Sequence, residues 1–159
     1  MKNHNSMHKP AREFYQISLK MILKDSSGKI LLMKAQEKDY YGGYYDLPGG
    51  RINVGEFTVP LTDILRREVR EEIGDIQYEL NPRPVAVARH MIPAHISSLK
   101  RDVPNLYLLY EAKYTGGEIK VSKEHTGYGW FDPQKEDVSK LLKSGNLEGL
   151  KMYLGGRMN

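Results

Sequence analysis

Residues Pro60 to Gly74, PLTDILRREVREEIG, read as one helix, and the make-up of its apolar side restricts the possible folds more than any other feature. Pro60 suits a first helical turn and Gly74 a stop. At ~100° per residue, Leu61, Ile64, Leu65, Val69 and Ile73 share one broad face. Glu68 and Glu72 fall inside that arc, Glu71 lies at its edge, and Arg66, Arg67 and Arg70 point away. A purely solvated acidic face would sit opposite the apolar one. Like charges at this spacing repel by roughly 0.2–0.5 kcal/mol per exposed pair, and carboxylates at a core edge cost more. A divalent cation would relieve both penalties. Glutamates at i, i+3 and i+4 suit hard, oxygen-preferring ions, Mg²⁺ or Mn²⁺.

The segment before the helix, DLPGGRINVGE, adds Gly49, Gly50 and Gly55, which allow a backbone to approach a ligand closely. Alone, Pro-Gly-Gly is an ordinary turn. At this distance from the glutamate helix it completes a site.

The rest of the chain supplies a sheet. FYQISLKMILK (14–24) and KILLMKAQ (29–36) read as strands joined by the turn DSSG (25–28), a hairpin. EKDYYGGYY (37–45) is a loop. PVAVARHM (84–91) and NLYLLYEAKY (105–114) are strands around a polar connection (92–104), EIKVS (118–122) extends again, and YGWF (128–131) is a short strand. Asp137–Gly145 and Leu147–Gly156 read as terminal helices. The pattern predicts an α/β protein with helices covering a sheet. It divides into a flexible N-terminal tail, residues 1–12, and a single domain, residues 13–159.

Of 159 residues, 40% are hydrophobic, enough for a core. Zero cysteines exclude disulfides and thiolate chemistry, leaving carboxylates and histidines as metal ligands. No apolar run is long enough to span a membrane, and the N-terminus has no signal-peptide core, so a cytoplasmic location is expected. The net charge of +4 fits an anionic small-molecule partner. Basic residues are scattered rather than in blocks, which argues against nucleic acid. A monomer and a homodimer are both compatible with the sequence.

GRINVGE and REVREEIG together resemble the Nudix box of the Nudix hydrolases. Its pattern is Gly, five residues, Glu, seven residues, Arg-Glu, an aliphatic residue, any residue, Glu-Glu, any residue, Gly and an aliphatic residue. Gly50, Glu56, Arg67, Glu68, Val69, Glu71, Glu72 and Gly74 match. YYDLPGG upstream and EHTGYGWFDP downstream are also similar to the family. Residues 57–66 make ten rather than seven between Glu56 and Arg67, and Asp75 replaces the last aliphatic residue.

The resemblance implies a Nudix-like α/β/α sandwich with a mixed β-sheet and a catalytic loop-helix. It also implies divalent-metal-dependent cleavage, by water attack at phosphorus, of the pyrophosphate linkage in a nucleoside diphosphate joined to another moiety. A nucleoside triphosphate or a nucleotide sugar would qualify. On that reading Glu68, Glu71, Glu72 and the Gly49 carbonyl hold Mg²⁺ (or Mn²⁺), Arg67 orients Glu68 or Glu56, and Glu124 and Glu71 are rival general bases. Arg51, Lys100 and Arg101 are candidates for phosphate contacts, and Tyr44, with Tyr40, Tyr41 and Tyr45, for stacking on a base or ribose. His90 and His95 are expected to be hydrogen-bonded rather than metal-bound. The alternative is a non-catalytic nucleotide-binding or regulatory Nudix-like domain, which loss of the REVREE carboxylates would mark. All of them are present.

Overall fold

Hydrophobic alternation in the first half of the chain becomes three strands in a computed structural model that describes residues 10–155. They are β1 (Gln16–Lys24), β2 (Ile30–Ala35) and the two-residue β3 (Tyr45–Asp46). Most of the expected tail, residues 1–12, lies outside the described residues. Helix α1 (Leu61–Ile73) follows, then β4 (Gln77–Ile92), β5 (Val103–Gly116), β6 (His125–Phe131), α2 (Val138–Leu141) and α3 (Ser144–Tyr153).

The sheet order is β3-β2-β1-β5-β4, with β6 on the other side of β2. β1 runs parallel to β5 from Gln16↔Asn105 to Lys24↔Lys113, and the other pairings are antiparallel, so the sheet is mixed. The expected hairpin forms at its turn, where Asp25 Oδ1 accepts from the Ser27 and Lys29 amides at 2.9 Å. β1 and β2 then diverge, and their pairing stops at Lys24↔Ile30. The chain after β3 fills the gap: the amides of Leu19 and Met21 donate to the Gly50 and Pro48 carbonyls at 2.8 and 2.7 Å.

Alternation along β1 decides what each face buries. Leu19, Met21 and Leu23 join Ile64, Leu65, Val69 and Ile73 of α1 in one core. Ile22, with Leu32 and Leu109, joins Leu142 and Leu150 from the C-terminal segment in a second core on the opposite face. The sheet is therefore sandwiched between helices. Among the described residues no helix is long and apolar enough to cross a membrane.

Several boundaries differ from the sequence reading, and three of the differences have a clear physical reason. β4 begins at Gln77, not Pro84, and passes through Asn81, Pro82 and Pro84 with register shifts around them. An edge strand tolerates prolines because its outward side needs no N–H. The 118–122 segment joins no strand among the described residues. Instead Lys120 and Ser122 donate amides to the Ile73 and Glu72 carbonyls at 3.0 and 2.7 Å, satisfying the end of α1. The last two helices are separated at Leu142–Lys143 rather than at Asn146, because fully buried Leu142 turns into the core while Gly145 and Asn146 lie within α3.

Candidate active site

The turn after β3 is held at four successive carbonyls by three residues of β1. Pro48 and Gly50 accept main-chain N–H groups, as above. The Leu47 and Gly49 carbonyls point the other way and accept from Lys20 Nζ at 3.0 and 3.2 Å. Gly49 sits at φ +126°, which side chains rarely adopt, and a Cβ there would lie 2.1 Å from the Leu19 carbonyl oxygen. A Cβ on Gly50 would lie 2.0 Å from Glu68 Oε2. Only glycines let the turn lie between β1 and α1 at this distance.

Glu72 closes the contact from the helix side: its Oε2 accepts the Gly49 amide at 2.6 Å. Burial pushes the Glu72 carboxyl up to about 8; Lys20 and the Gly49 amide oppose the shift, while Asp46 and Glu68 add to it. Arg67 gathers the other box carboxylates, with guanidinium nitrogens 2.8 Å from Glu56, 2.8 Å from Glu68 and 3.3 Å from Glu71. Glu56 thus stands beside Arg67 despite the longer spacing, with residues 57–60 taken up in a turn where Val59 N–H donates to the Glu56 carbonyl.

A cavity of about 480 Å³ opens over this turn. Of the residues expected in the site, Gly49, Glu68, Glu72, Arg51, Glu124, Tyr40 and Tyr41 line it. Glu71, Arg67, Tyr44, Tyr45, Lys100 and Arg101 do not. Glu71 faces solvent, its side chain 59% exposed and turned to Arg67. Its position at the edge of the helical arc is the reason: one helical step carries it past the turn that Glu72 meets. Tyr44 packs over Lys143, whose Nζ is 5.0 Å from the ring. Lys100 and Arg101 are exposed in the connection between β4 and β5.

The cavity also has residues that the sequence reading passed over: Lys20, Asp46, Ser18, Asn105, Tyr107 and His125. Lys20 is 6% exposed in the middle of an apolar strand, and its Nζ lies 2.9 Å from Asp46 Oδ1. Burial pulls its pKa down, but Asp46 and Glu72 more than reverse this, so it stays charged. A lysine between Leu19 and Met21 was the available signal. Ser18 and Asn105, both buried, hydrogen-bond at 2.9 Å on the cavity wall. Tyr40, Tyr41, Tyr107 and His90 line the far end, where the Tyr41 and Tyr107 hydroxyls are 3.1 Å apart. His90 is hydrogen-bonded, its Nδ1 2.6 Å from Ser144 Oγ, and burial lowers its pKa. His125, also on the wall, is lowered by burial as well. His95 is exposed and apart from the cavity.

The donor chemistry suits a hard divalent cation: two carboxylates and a backbone carbonyl, all oxygen, converge on one glycine turn. Among the described residues, no three acidic or histidine side chains by themselves form a ligand cluster. A set for such a cation would therefore need the Gly49 carbonyl and would leave positions for substrate oxygens, as Mg²⁺ sites on phosphates commonly do.

A carboxylate helix laid against a glycine turn, at one end of a cavity in an α/β/α sandwich, defines a hydrolase of phosphoric anhydrides. A family model of the NUDIX domain matches residues 15–152, and the chain belongs to this family, as a Nudix pyrophosphohydrolase. The nucleoside triphosphatase NudI of Escherichia fergusonii is 26% identical over 115 residues, spanning 71% of this chain and 79% of that protein. The MutT NUDIX hydrolase of Burkholderia pseudomallei shares the fold at a TM-score of 0.64 and 22% identity, over 92% of this chain and all of that one. An ADP-ribose pyrophosphatase of Streptococcus suis shares it at 0.59 and 22%, over 89% and 91% of the two chains.

Proposed function

We propose that the protein is a divalent-metal-dependent hydrolase of nucleoside triphosphates or closely similar nucleoside diphosphate derivatives. One observation carries this reading: a single cavity has a carboxylate and glycine end and an aromatic and amide end, so phosphates and nucleoside fit in one molecule. The similarity to a nucleoside triphosphatase supports the same substrate class. Such substrates are cytoplasmic, which is the setting this reading implies.

Glu68, Glu72 and the Gly49 carbonyl would hold Mg²⁺ or Mn²⁺, which when bound neutralises phosphate charge and acidifies water. Arg67 fixes Glu68 through its 2.8 Å pair. Arg51, on the cavity wall, offers its guanidinium to substrate phosphates. Glu124 lines the cavity as an exposed carboxylate and takes the proton of the attacking water. Its rival Glu71 lies outside the cavity and is paired with Arg67, which disfavours it. Tyr40, Tyr41 and Tyr107 offer rings to the nucleoside.

The test is a panel of nucleoside triphosphates, nucleotide sugars, ADP-ribose and dinucleotides with Mg²⁺ or Mn²⁺, read as released phosphate or pyrophosphate. A nucleoside triphosphate should be turned over fastest, and excess chelator should abolish turnover. Undiminished turnover in chelator would overturn the mechanism. No turnover of any panel member would overturn the substrate class.

A further inference from the structure

Lys20 has three N–H groups and three oxygen partners: Asp46 Oδ1 at 2.9 Å, the Leu47 carbonyl at 3.0 Å and the Gly49 carbonyl at 3.2 Å. Its donors are all spent inside the protein. It therefore lines the cavity without a hydrogen to offer a phosphate. Its position is also unusual. A buried ammonium is retained only where partners compensate its desolvation, and here they are the residues on which the site is built. The Gly49 carbonyl faces Lys20 while the Gly49 amide faces Glu72. Lys20 thus brackets the Pro48–Gly49 peptide from both flanking carbonyls, while the carbonyl of that peptide accepts from Met21 N–H, and together they limit how far the Gly49 amide can turn from Glu72. The Asp46 oxygen bound by Lys20 also accepts from Asn146 Nδ2 at 2.8 Å, which ties the same lysine to α3.

We propose that Lys20 is a positioning residue of the active site, holding the Leu47 and Gly49 carbonyls so that Gly49 and Glu72 are in place before the cation binds. This rests on the reading of Glu68, Glu72 and Gly49 as the metal-holding group. Lys20 acts through geometry rather than by touching substrate. A carbonyl has two acceptor directions, so the Gly49 oxygen accepts from Lys20 and keeps one direction free.

Positioning and simple charge proximity predict opposite signs. A nearby ammonium only repels Mn²⁺, so removing it tightens Mn²⁺ binding. A positioning ammonium, once removed, releases the turn and weakens binding, on the order of 10-fold or more, as for other partners that orient metal ligands. Lys20→Met keeps the apolar stem and deletes the ammonium. Lys20→Arg keeps the charge but replaces a three-way donor with a planar fork.

The experiment titrates Mn²⁺ alone into the wild type and both variants, followed by the free-ion electron paramagnetic resonance signal, with KM and kcat for a nucleoside triphosphate at saturating Mn²⁺. Both variants should bind Mn²⁺ more weakly and lose kcat, with KM little changed. Tighter or unchanged Mn²⁺ binding by Lys20→Met overturns the proposal, as does wild-type affinity in Lys20→Arg, or a raised KM at unchanged kcat. If Lys20→Met does not fold, Lys20→Arg decides by the same criteria. A wild type that binds no Mn²⁺ overturns the functional reading itself and the proposal with it. The other adverse outcomes, with wild-type binding intact, overturn the proposal alone.

Discussion

Glu71 and Glu72 are adjacent in sequence and opposite in circumstance. Glu72 accepts the Gly49 amide inside the cavity, whereas Glu71 meets Arg67 at the solvent edge. Glu72→Gln should cut turnover by at least ~10²-fold, since a metal contributes several kcal/mol to transition-state stabilisation. Glu71→Gln should cut it by less than ~10-fold, the scale of a partly exposed pair. Steady-state kinetics on both variants checks the contrast, and equal losses would restore Glu71 to the site. Glu72 also carries a pH signature. Its folded value, about 8, lies above the ordinary 4.5. Without metal, the folded state keeps a proton that the unfolded state releases. Stability from this group is complete below pH 4.5 and is lost as pH rises through about 8. Metal-free wild type should therefore lose stability relative to Glu72→Gln across that window, by up to a few kcal/mol. Urea unfolding of both proteins from pH 5 to pH 8 measures it. His90 and His125, whose pKa values burial lowers, act in the opposite direction below about pH 6.5, but they are common to both proteins and cancel in the difference.

Among the elements, α1 was the most legible because its punctuation and periodicity agree. Pro60 stands just before its first residue and Gly74 just after its last. Gly74 adopts φ 86° and ψ −174°, a conformation essentially restricted to glycine. Beyond its chain neighbours, no atom lies closer than 3.6 Å to the place a Cβ would take, so a substitution there is strained by the backbone alone. Gly74→Ala should destabilise by about 1–3 kcal/mol and loosen the turn that carries Glu72, seen as a lower melting temperature and reduced turnover together. A change below about 0.5 kcal/mol would mean the α1 stop is not held as described. Elements without such local agreement were read less well. Prolines in β4 looked like a boundary because edge position is a property of the sheet, not of the segment. Residues 118–122 looked like a strand because an extended chain capping a helix has the same local pattern. In the site, the REVREE spacing was legible, since a helix converts spacing directly into direction. Lys20 and Asp46 were not, because their meeting depends on the divergence of β1 from β2.

At the scale of the whole molecule, the cavity walls depend on how closely α3 approaches the sheet. Two glycines one helical turn apart set that distance. A Cβ on Gly145 would lie 3.0 Å from the Tyr107 ring and 3.1 Å from His90 Cβ, and one on Gly149 would lie 2.6 Å from both Leu109 methyls. The approach brings Ser144 to His90 and Asn146 to Asp46, so α3 supports the far end of the cavity as well as the second core. The same docking covers the β4 edge, where the Val87 amide meets Met152 Sδ at 3.4 Å. Gly149→Ala sets two effects against each other. Intrinsic helix propensity favours alanine by about 1 kcal/mol. Overpacking a closed core costs typically 1–3 kcal/mol, and Leu109 is fully buried with little room to move. Packing should win, so Gly149→Ala should lower the urea midpoint and also reduce turnover as α3 is displaced from Asp46 and His90. Gly155→Ala is a poor control because its φ of 74° adds strain. Lys151→Ala, on the half-buried rim of the same helix, tests propensity with little core involvement and should be close to neutral. A Gly149→Ala protein more stable than wild type would show that propensity prevails and that α3 does not dock closely enough to shape the cavity.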